Sequence, residues 1–186
     1  MKLYLFRHSR TIIEPEVPTP QWVLSTEGVK RAQSLSENAN MRPIEVFYSS
    51  LQNKALETTV IFAKPQRVPI KTHAGLAELT SITNAFLPHY EETVQHLYAG
   101  TITTIHNGES FQEGLNRFHR TIEQIVRSEA GHDHIGIVTH GVILSLFAAQ
   151  YAGVSASDLH HRIAMPDMAI LDWETHEFLH FFGGVT

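Results

Sequence analysis

The chain has 186 residues, a length typical of one compact domain, so we expect residues 1–186 to fold as a single unit. Its formal net charge of -5 and its charged fraction of 18%, without a basic stripe, argue against nucleic acid as a partner. The sequence contains no cysteine, which excludes a disulfide framework and a thiolate metal site.

The first predicted element is an apolar run at residues 3–6 that stops abruptly at Arg7 and His8. Further runs of strand length alternate with longer stretches of helical period, which indicates a parallel sheet covered by helices. We therefore predict an α/β fold, a three-layer α/β/α sandwich with a mostly parallel sheet. The last two strands, separated by ETHE, are predicted to form a hairpin at one edge. The predicted strands are residues 2–6, 46–49, 68–72, 135–139, 169–173 and 178–182.

Helices are predicted between these strands, and the side chain of Ser25 or Thr26 is expected to cap the first of them. The segment 12–22 holds three of the eight prolines and is therefore predicted to be neither helix nor central strand. We interpret it as a mobile loop after His8 that can act as a lid. The predicted helices are residues 26–38, 52–63, 88–98, 110–128 and 142–151.

No stretch of the sequence has the pattern of a targeting or membrane segment. The apolar run before Arg7 is too short for a signal peptide, and the apolar stretch 142–154 is interrupted by Ser145 and Gln150. We therefore expect a soluble, cytoplasmic protein without a membrane partner. The sequence gives no indication of the oligomeric state.

Thirteen histidines raise the question of a metal site. His132 with His134, and His160 with His161, are the closest pairs, but neither belongs to an HExxH motif or a similar ligand spacing. Scattered surface histidines explain most of this count. We therefore predict no metal and no cofactor.

Polar side chains follow four of the predicted strands, at the point where each strand ends. The carboxyl ends of parallel strands share one edge of an open sheet, and ligands bind at that edge. A hydrophobic core has no use for such a collection, so we predict that these residues form a site. They are Arg7 and His8 after the first strand, Ser49, Ser50 and Lys54 after the second, Glu78 after the third, and Thr139 and His140 after the fourth.

This set of side chains suits a phosphoryl group better than an acyl group or a metal. Arginine offers a bidentate fork to phosphate oxygens and lysine a point charge. Helices predicted to begin near Leu51 and Val142 direct free backbone N–H groups to the same place. An imidazole can also act as a covalent nucleophile. We therefore interpret His8 as a candidate acceptor of the phosphoryl group.

Several segments resemble the histidine phosphatase superfamily, which includes cofactor-dependent phosphoglycerate mutases and many phosphatases. RHSRT at residues 7–11 is similar to the Arg-His-Gly signature that follows the family's first strand. Four later segments resemble further family signatures, in the family's order and over nearly the whole chain. They are LSTEGVKRAQSL, SSLQNKALET, NGES and IVTHG. The resemblance implies a phosphoglycerate mutase-like fold.

The resemblance also implies a role for each matching residue. His8 corresponds to the nucleophile that becomes phosphohistidine, Arg7 to its phosphate-binding neighbour, and His140 to the second histidine at the phosphoryl group. Glu78 stands where the family has its general acid, which then activates the attacking water. The implied activity is metal-independent hydrolysis of a small phosphorylated metabolite.

The sequence departs from the family pattern at several positions. Ser9 replaces the glycine after the nucleophile, Leu51 replaces a proline, and Lys54 replaces the second phosphate-binding arginine, so the two-pronged contact is lost. Ser9 and Arg10 are candidate phosphate contacts, although Arg10 can equally pair with a surface glutamate. The family's Gly-x-Trp-Glu-Gly stretch is replaced by LTSITNAFLPHYEE, so the resemblance does not predict a substrate.

Alternatives remain open for the activity and for two groups of residues. A phosphoglycerate mutase would share the catalytic residues, and a non-catalytic phosphate-binding module would explain the departures at Ser9, Arg10 and Lys54. Glu109 of NGES is a rival general acid or a carboxylate at a helix start. Four further residues are predicted either to line a substrate pocket or to pack in the core, namely Phe86, His89, Tyr90 and Tyr98.

Overall fold

The computed structural model describes residues 1–81 and 83–184, so Ile82 of the segment 79–92 and the last two residues of the predicted domain lie outside the description. A six-stranded sheet forms the middle of the molecule, in the order β3-β2-β4-β1-β5-β6. The first four strands are parallel, and the β5–β6 hairpin is added antiparallel to β1, as an edge. The strands are β1 (Lys2–Arg7), β2 (Val46–Ser49), β3 (Ile70–Thr72), β4 (His134–Thr139), β5 (Asp167–Asp172) and β6 (Phe178–His180).

The helices begin where the sequence offers side-chain caps. The Ser25 hydroxyl accepts a hydrogen bond from the Gly28 amide at the start of α1, and Ser110 and Glu113 form a reciprocal capping box at the start of α4. The helices are α1 (Thr26–Ser36), α2 (Asn53–Ala63), α3 (Tyr90–Tyr98), α4 (Phe111–Ser128), α5 (Gly141–Ala152) and α6 (Ala156–Arg162).

Helices cover both faces of the sheet because its central strands are apolar on both sides. On one face, Leu3 and Leu5 of β1 belong to a buried cluster with residues of α4, α5 and α6. On the other face, Tyr4 and Phe6 belong to a second cluster with residues of α1 and α2. The predicted three-layer α/β sandwich with a mostly parallel sheet is therefore confirmed. In the ranges 1–81 and 83–184, no helix is long and apolar enough to cross a bilayer.

Most predicted elements differ from the structure by one or two residues at an end, and one helix was missed. Strand β3 begins at Ile70 rather than at residue 68, since Pro69 has no amide hydrogen for a ladder. Helix α3 begins at Tyr90, after the prolyl residue at which it was predicted to start. Helix α6 is only seven residues long and buries Leu159 and His160, so it lacks the repeated apolar spacing that predicts a helix.

Candidate active site

Strands β1 and β4 end side by side, and this pairing places two histidines next to each other. Arg7 is in register with Thr139, and the backbone N–H of His8 donates to the Thr139 carbonyl at 2.9 Å. The residue that follows each strand is a histidine, and the ring centroids of His8 and His140 lie 5.1 Å apart. Both rings line the same cavity.

The hydrogen bonding of His8 determines which ring nitrogen is free. Its Nδ1 lies 2.7 Å from the carbonyl oxygen of Ser9. Because a carbonyl only accepts, Nδ1 must carry the proton, and Nε2 is then the unprotonated nitrogen of a neutral ring. Burial lowers the pKa of His8 well below its ordinary value, and the charge of Lys54 lowers it further. His8 therefore presents a nucleophilic nitrogen near neutral pH.

His140 is buried, and one of its two ring nitrogens has a hydrogen-bond partner. Its Nε2 hydrogen-bonds with the Ser50 hydroxyl at 2.8 Å, whereas its Nδ1 is buried and has no partner in the part of the chain that the structure describes. Burial lowers the pKa of His140 well below its ordinary value, and the neighbouring His8 lowers it further. An unpartnered buried nitrogen is costly, so this group is available for a ligand oxygen.

Arg7 lies against the start of α5. Its Nη1 donates to the Ile163 carbonyl at 2.6 Å, while its Nε is buried without a partner among residues 1–81 and 83–184. A Cβ added to Gly141 would lie 2.8–2.9 Å from Cζ, Nε and Nη2 of Arg7. A side chain at residue 141 would therefore force the guanidinium group to shift from its present position.

Lys54 is the second cation of the cavity. It lies in the first turn of α2, its Nζ donates to the Thr19 carbonyl at 3.2 Å, and it stands 5.6 Å from the ring centroid of Trp22. Burial lowers the pKa of Lys54 to about 8, although the charge of Glu78 opposes this shift. Lys54 thus supplies a point charge whose state changes in the mildly alkaline range.

Glu78 also lines the cavity and is held by the amino terminus of α5. Its Oε2 accepts from the Val142 amide at 2.9 Å, and its Oε1 accepts from the amides of Ile143 and Leu79 at 2.8 and 3.1 Å. These donors fix the carboxyl group in one orientation. The structure therefore brings together the residues Arg7, His8, Lys54, Glu78 and His140, as the sequence predicted.

The segment that carries Glu78 is held by an arginine that sequence analysis missed. Arg117 of α4 donates to the carbonyl oxygens of Gly75, Ala77 and Glu78 at 2.7, 3.0 and 3.2 Å. Both oxygens of Glu109 accept from the same guanidinium at 2.7 Å. The proximity of Arg117 to NGES in the sequence does not reveal this contact, since the bonded carbonyls lie about 40 residues away.

Glu109, the rival general acid, is thus an ion-pair partner of Arg117 and does not line the main cavity among the described residues. Burial raises its pKa, but hydrogen bonds from Arg117 and Thr80 outweigh that effect and lower the pKa of Glu109 overall. Glu109 is therefore held by Arg117 outside the described lining of the cavity, whereas Glu78 lines it.

The structure does not bring Ser9 and Arg10 to the cavity. The Ser9 hydroxyl donates to the Gly28 carbonyl at 2.7 Å, and its amide donates to the Thr58 hydroxyl at 3.0 Å. Ser9 is therefore used to join β1 to the helices α1 and α2. Arg10 is exposed and absent from the described cavity lining. The side chain of Ser9 thus points towards α1 and does not line the described cavity.

The cavity has a volume of about 650 Å³. Phe86, His89 and Tyr90 line it, which is the first of the two alternatives that the sequence left open for them. Tyr98 is absent from the described lining, and its hydroxyl hydrogen-bonds with Ser145 of α5 at 2.6 Å. The loop 12–22 also contributes wall residues.

The two histidine pairs that the sequence analysis set aside as metal ligands make other contacts. No group of three or more His, Asp or Glu side chains able to hold a metal ion occurs in residues 1–81 and 83–184. His132 lies 2.9 Å from Glu129, and the His160 ring lies 5.8 Å from that of Tyr98. The first is a polar contact within three residues of the chain, and the second joins α6 to α3.

Comparisons with known proteins give one family match and several similar folds. The sequence profile of the histidine phosphatase superfamily, branch 1, matches residues 3–179. A comparison with curated protein sequences gives no match. YhfR of Bacillus stearothermophilus is 22% identical, with a TM-score of 0.78, covering 100% of this chain and 97% of its own.

Two further solved structures have similar folds. A mycobacterial glucosyl-3-phosphoglycerate phosphatase in complex with inorganic phosphate is 17% identical, with a TM-score of 0.73, covering 95% of this chain and 94% of its own. A putative alpha-ribazole-5'-P phosphatase from Escherichia coli is 22% identical, with a TM-score of 0.72, covering 92% of this chain and 90% of its own. At these identities the matches establish the fold.

The contact between Gly141 and Arg7 predicts a loss of anion binding in Gly141→Ala. The added methyl group displaces the guanidinium, so the dissociation constant for inorganic phosphate, measured by calorimetry, should rise by roughly tenfold or more. The control is Gly131→Ala, since no described atom lies within 4 Å of a Cβ added there. Unchanged phosphate affinity in Gly141→Ala would show that Arg7 does not bind the anion.

Proposed function

The chain belongs to the histidine phosphatase superfamily, and from this we propose that it is a phosphomonoester hydrolase that forms a phosphohistidine on His8. The observation that carries the proposal is the state of His8, whose Nδ1 is tied to the Ser9 carbonyl while the ring lines a cavity with two cations. The neighbours named as phosphatases support hydrolysis over phosphotransfer.

In the first step, Nε2 of His8 attacks the phosphorus of a small phosphorylated substrate, in line with the leaving oxygen. The N–P bond forms as the bond from phosphorus to that oxygen breaks. Arg7 and Lys54 offset the negative charge on the phosphoryl oxygens. With the Ser50 hydroxyl donating to Nε2 of His140, Nδ1 of His140 carries the hydrogen that binds another phosphoryl oxygen.

Glu78 is the proposed proton donor to the leaving alcohol. Its Oε2 accepts one of the backbone hydrogen bonds and Oε1 accepts the other two, so Oε2 is the oxygen proposed to carry the proton. In the second step the resulting carboxylate takes a proton from water. The water oxygen attacks phosphorus, the N–P bond breaks, and inorganic phosphate leaves with His8 restored. The route uses no metal.

The intermediate itself is the first test. With a radiolabelled phosphomonoester, rapid quenching should trap acid-labile, alkali-stable phosphate on His8, because a phosphoramidate has this stability pattern. His8→Ala should abolish turnover, whereas His161→Ala, on an exposed residue of α6, should not change it. Substantial turnover in His8→Ala, or turnover without trapped phosphate, would contradict the proposal.

The pKa of Lys54 predicts the alkaline limb of the pH profile. Lys54 is charged below its pKa of about 8 and neutral above it, so kcat/KM of the free enzyme should fall as the pH rises through about 8. In Lys54→Arg this limb should disappear, because a guanidinium stays charged. Lys64→Arg, on an exposed residue at the end of α2, is the matched control and should keep it. A wild-type profile that is flat between pH 7 and about 9.5 would disprove this role of Lys54.

The Arg117 contacts predict a loss that depends on the leaving group. In Arg117→Lys the fork to Glu109 and the carbonyls is lost, so Glu78 is misplaced and kcat/KM should fall by roughly tenfold or more for alkyl phosphates. Nitrophenyl phosphate should be affected less, because nitrophenolate leaves without a proton. Arg127→Lys on the same helix should behave as wild type, as Arg127 is exposed. An equal loss on both esters would show that Arg117 does not act through Glu78.

A further inference from the structure

The cavity is much larger than its phosphoryl end requires. Its volume of about 650 Å³ lies within the range of roughly 300–1,000 Å³ that is typical of sites for whole organic ligands. The two histidines and two cations account for one end. The remaining space is lined by residues of the loop 12–22 and by residues 79–81 and 84–92, which belong to the segment that replaces the family's Gly-x-Trp-Glu-Gly stretch.

The walls of this remaining space are largely apolar. Ile13, Trp22, Phe86, Leu87 and Met165 all line it, and the ring centroids of Trp22 and Phe86 lie 6.0 Å apart. These residues are not core residues, because each is only half-buried or exposed, and Ile13 is 62% exposed. Apolar side chains left accessible around a cavity indicate an apolar ligand.

The charges of the cavity point in the same direction. Among the described lining residues, Arg7 and Lys54 are the only arginine and lysine, and both lie at the phosphoryl end. Glu91 and Glu92 also line the cavity, at 3.8 Å from His160 and 3.9 Å from His89 respectively. A substrate with a second phosphate or a carboxylate would therefore find no further Arg or Lys partner and would face two carboxylates, which is costly at a partly desolvated site.

We propose that the preferred substrates are phosphomonoesters whose organic group is uncharged and apolar, with an aromatic ring or hydrocarbon chain packed on Trp22 and Phe86. This inference rests on the proposed hydrolase function and adds the substrate class. Phosphorylated sugar acids and bisphosphates are then poor substrates. Discrimination comes from the apolar walls and from the lack of a third arginine or lysine in the described lining, whereas the chemistry at His8 is the same for every ester.

The test compares phosphate esters of primary alcohols, so that the acidity of the leaving group changes little and the organic group varies. Phenylbutyl phosphate should have a kcat/KM roughly 10- to 100-fold above those of ethyl phosphate and 3-phosphoglycerate, because each buried hydrocarbon group adds binding to the transition state. An equal or higher kcat/KM for 3-phosphoglycerate would overturn the inference.

Phe86→Ala should lower the ratio of kcat/KM for phenylbutyl phosphate to that for ethyl phosphate by roughly tenfold, because the ring loses its packing partner. Phe181→Ala, which removes a half-buried aromatic ring that packs on Phe178 and Phe182, is the matched control and should leave the ratio unchanged. An unchanged ratio in Phe86→Ala would contradict the proposed wall.

Binding separates this inference from the proposed function. Phenylbutylphosphonate, which cannot be hydrolysed, should bind at least about tenfold more tightly than inorganic phosphate in calorimetry. If no ester is turned over but the phosphonate gains this affinity, the hydrolase proposal fails and the apolar site stands. If esters are turned over but the phosphonate gains no affinity, the hydrolase stands and the apolar site fails.

Discussion

The parallel pairing of β1 with β4 is the constraint on which the rest of the site depends. These strands lie in the middle of the sheet and end in register, with the His8 amide bonded to the Thr139 carbonyl. Backbone hydrogen bonds and two apolar clusters therefore hold the imidazoles of His8 and His140 close together. The same burial keeps both rings neutral, so the packing that stabilises the sheet also sets the chemistry of its edge.

The charged groups around this pair are positioned by contacts outside the cavity. Gly141 leaves room for the guanidinium of Arg7, and the amides at the start of α5 hold the carboxyl group of Glu78. Arg117 and Glu109 then hold the backbone of the segment that carries Glu78. Preorganisation of this kind lets a site stabilise charge without rearranging at the moment of reaction.

Sequence reasoning succeeded where the pattern is repeated or local. It failed where contacts between distant residues determine the direction or the role of a side chain. Apolar runs predicted the strands, and the strand-end rule predicted that Arg7, His8 and His140 would meet. The direction of the Ser9 side chain depends on its hydrogen bond to Gly28, and the role of Glu109 depends on Arg117, which no spacing reveals. Helix α6 was missed because seven residues are too few to show a period.

The position of the active-site strands within the sheet has an evolutionary consequence. His8 and His140 follow the central strands, whereas the loops that carry Trp22 and Phe86 lie outside the sheet. Insertions or replacements in those loops can therefore create new specificities without disturbing the reacting groups. Three solved structures keep this architecture at only 17–22% identity.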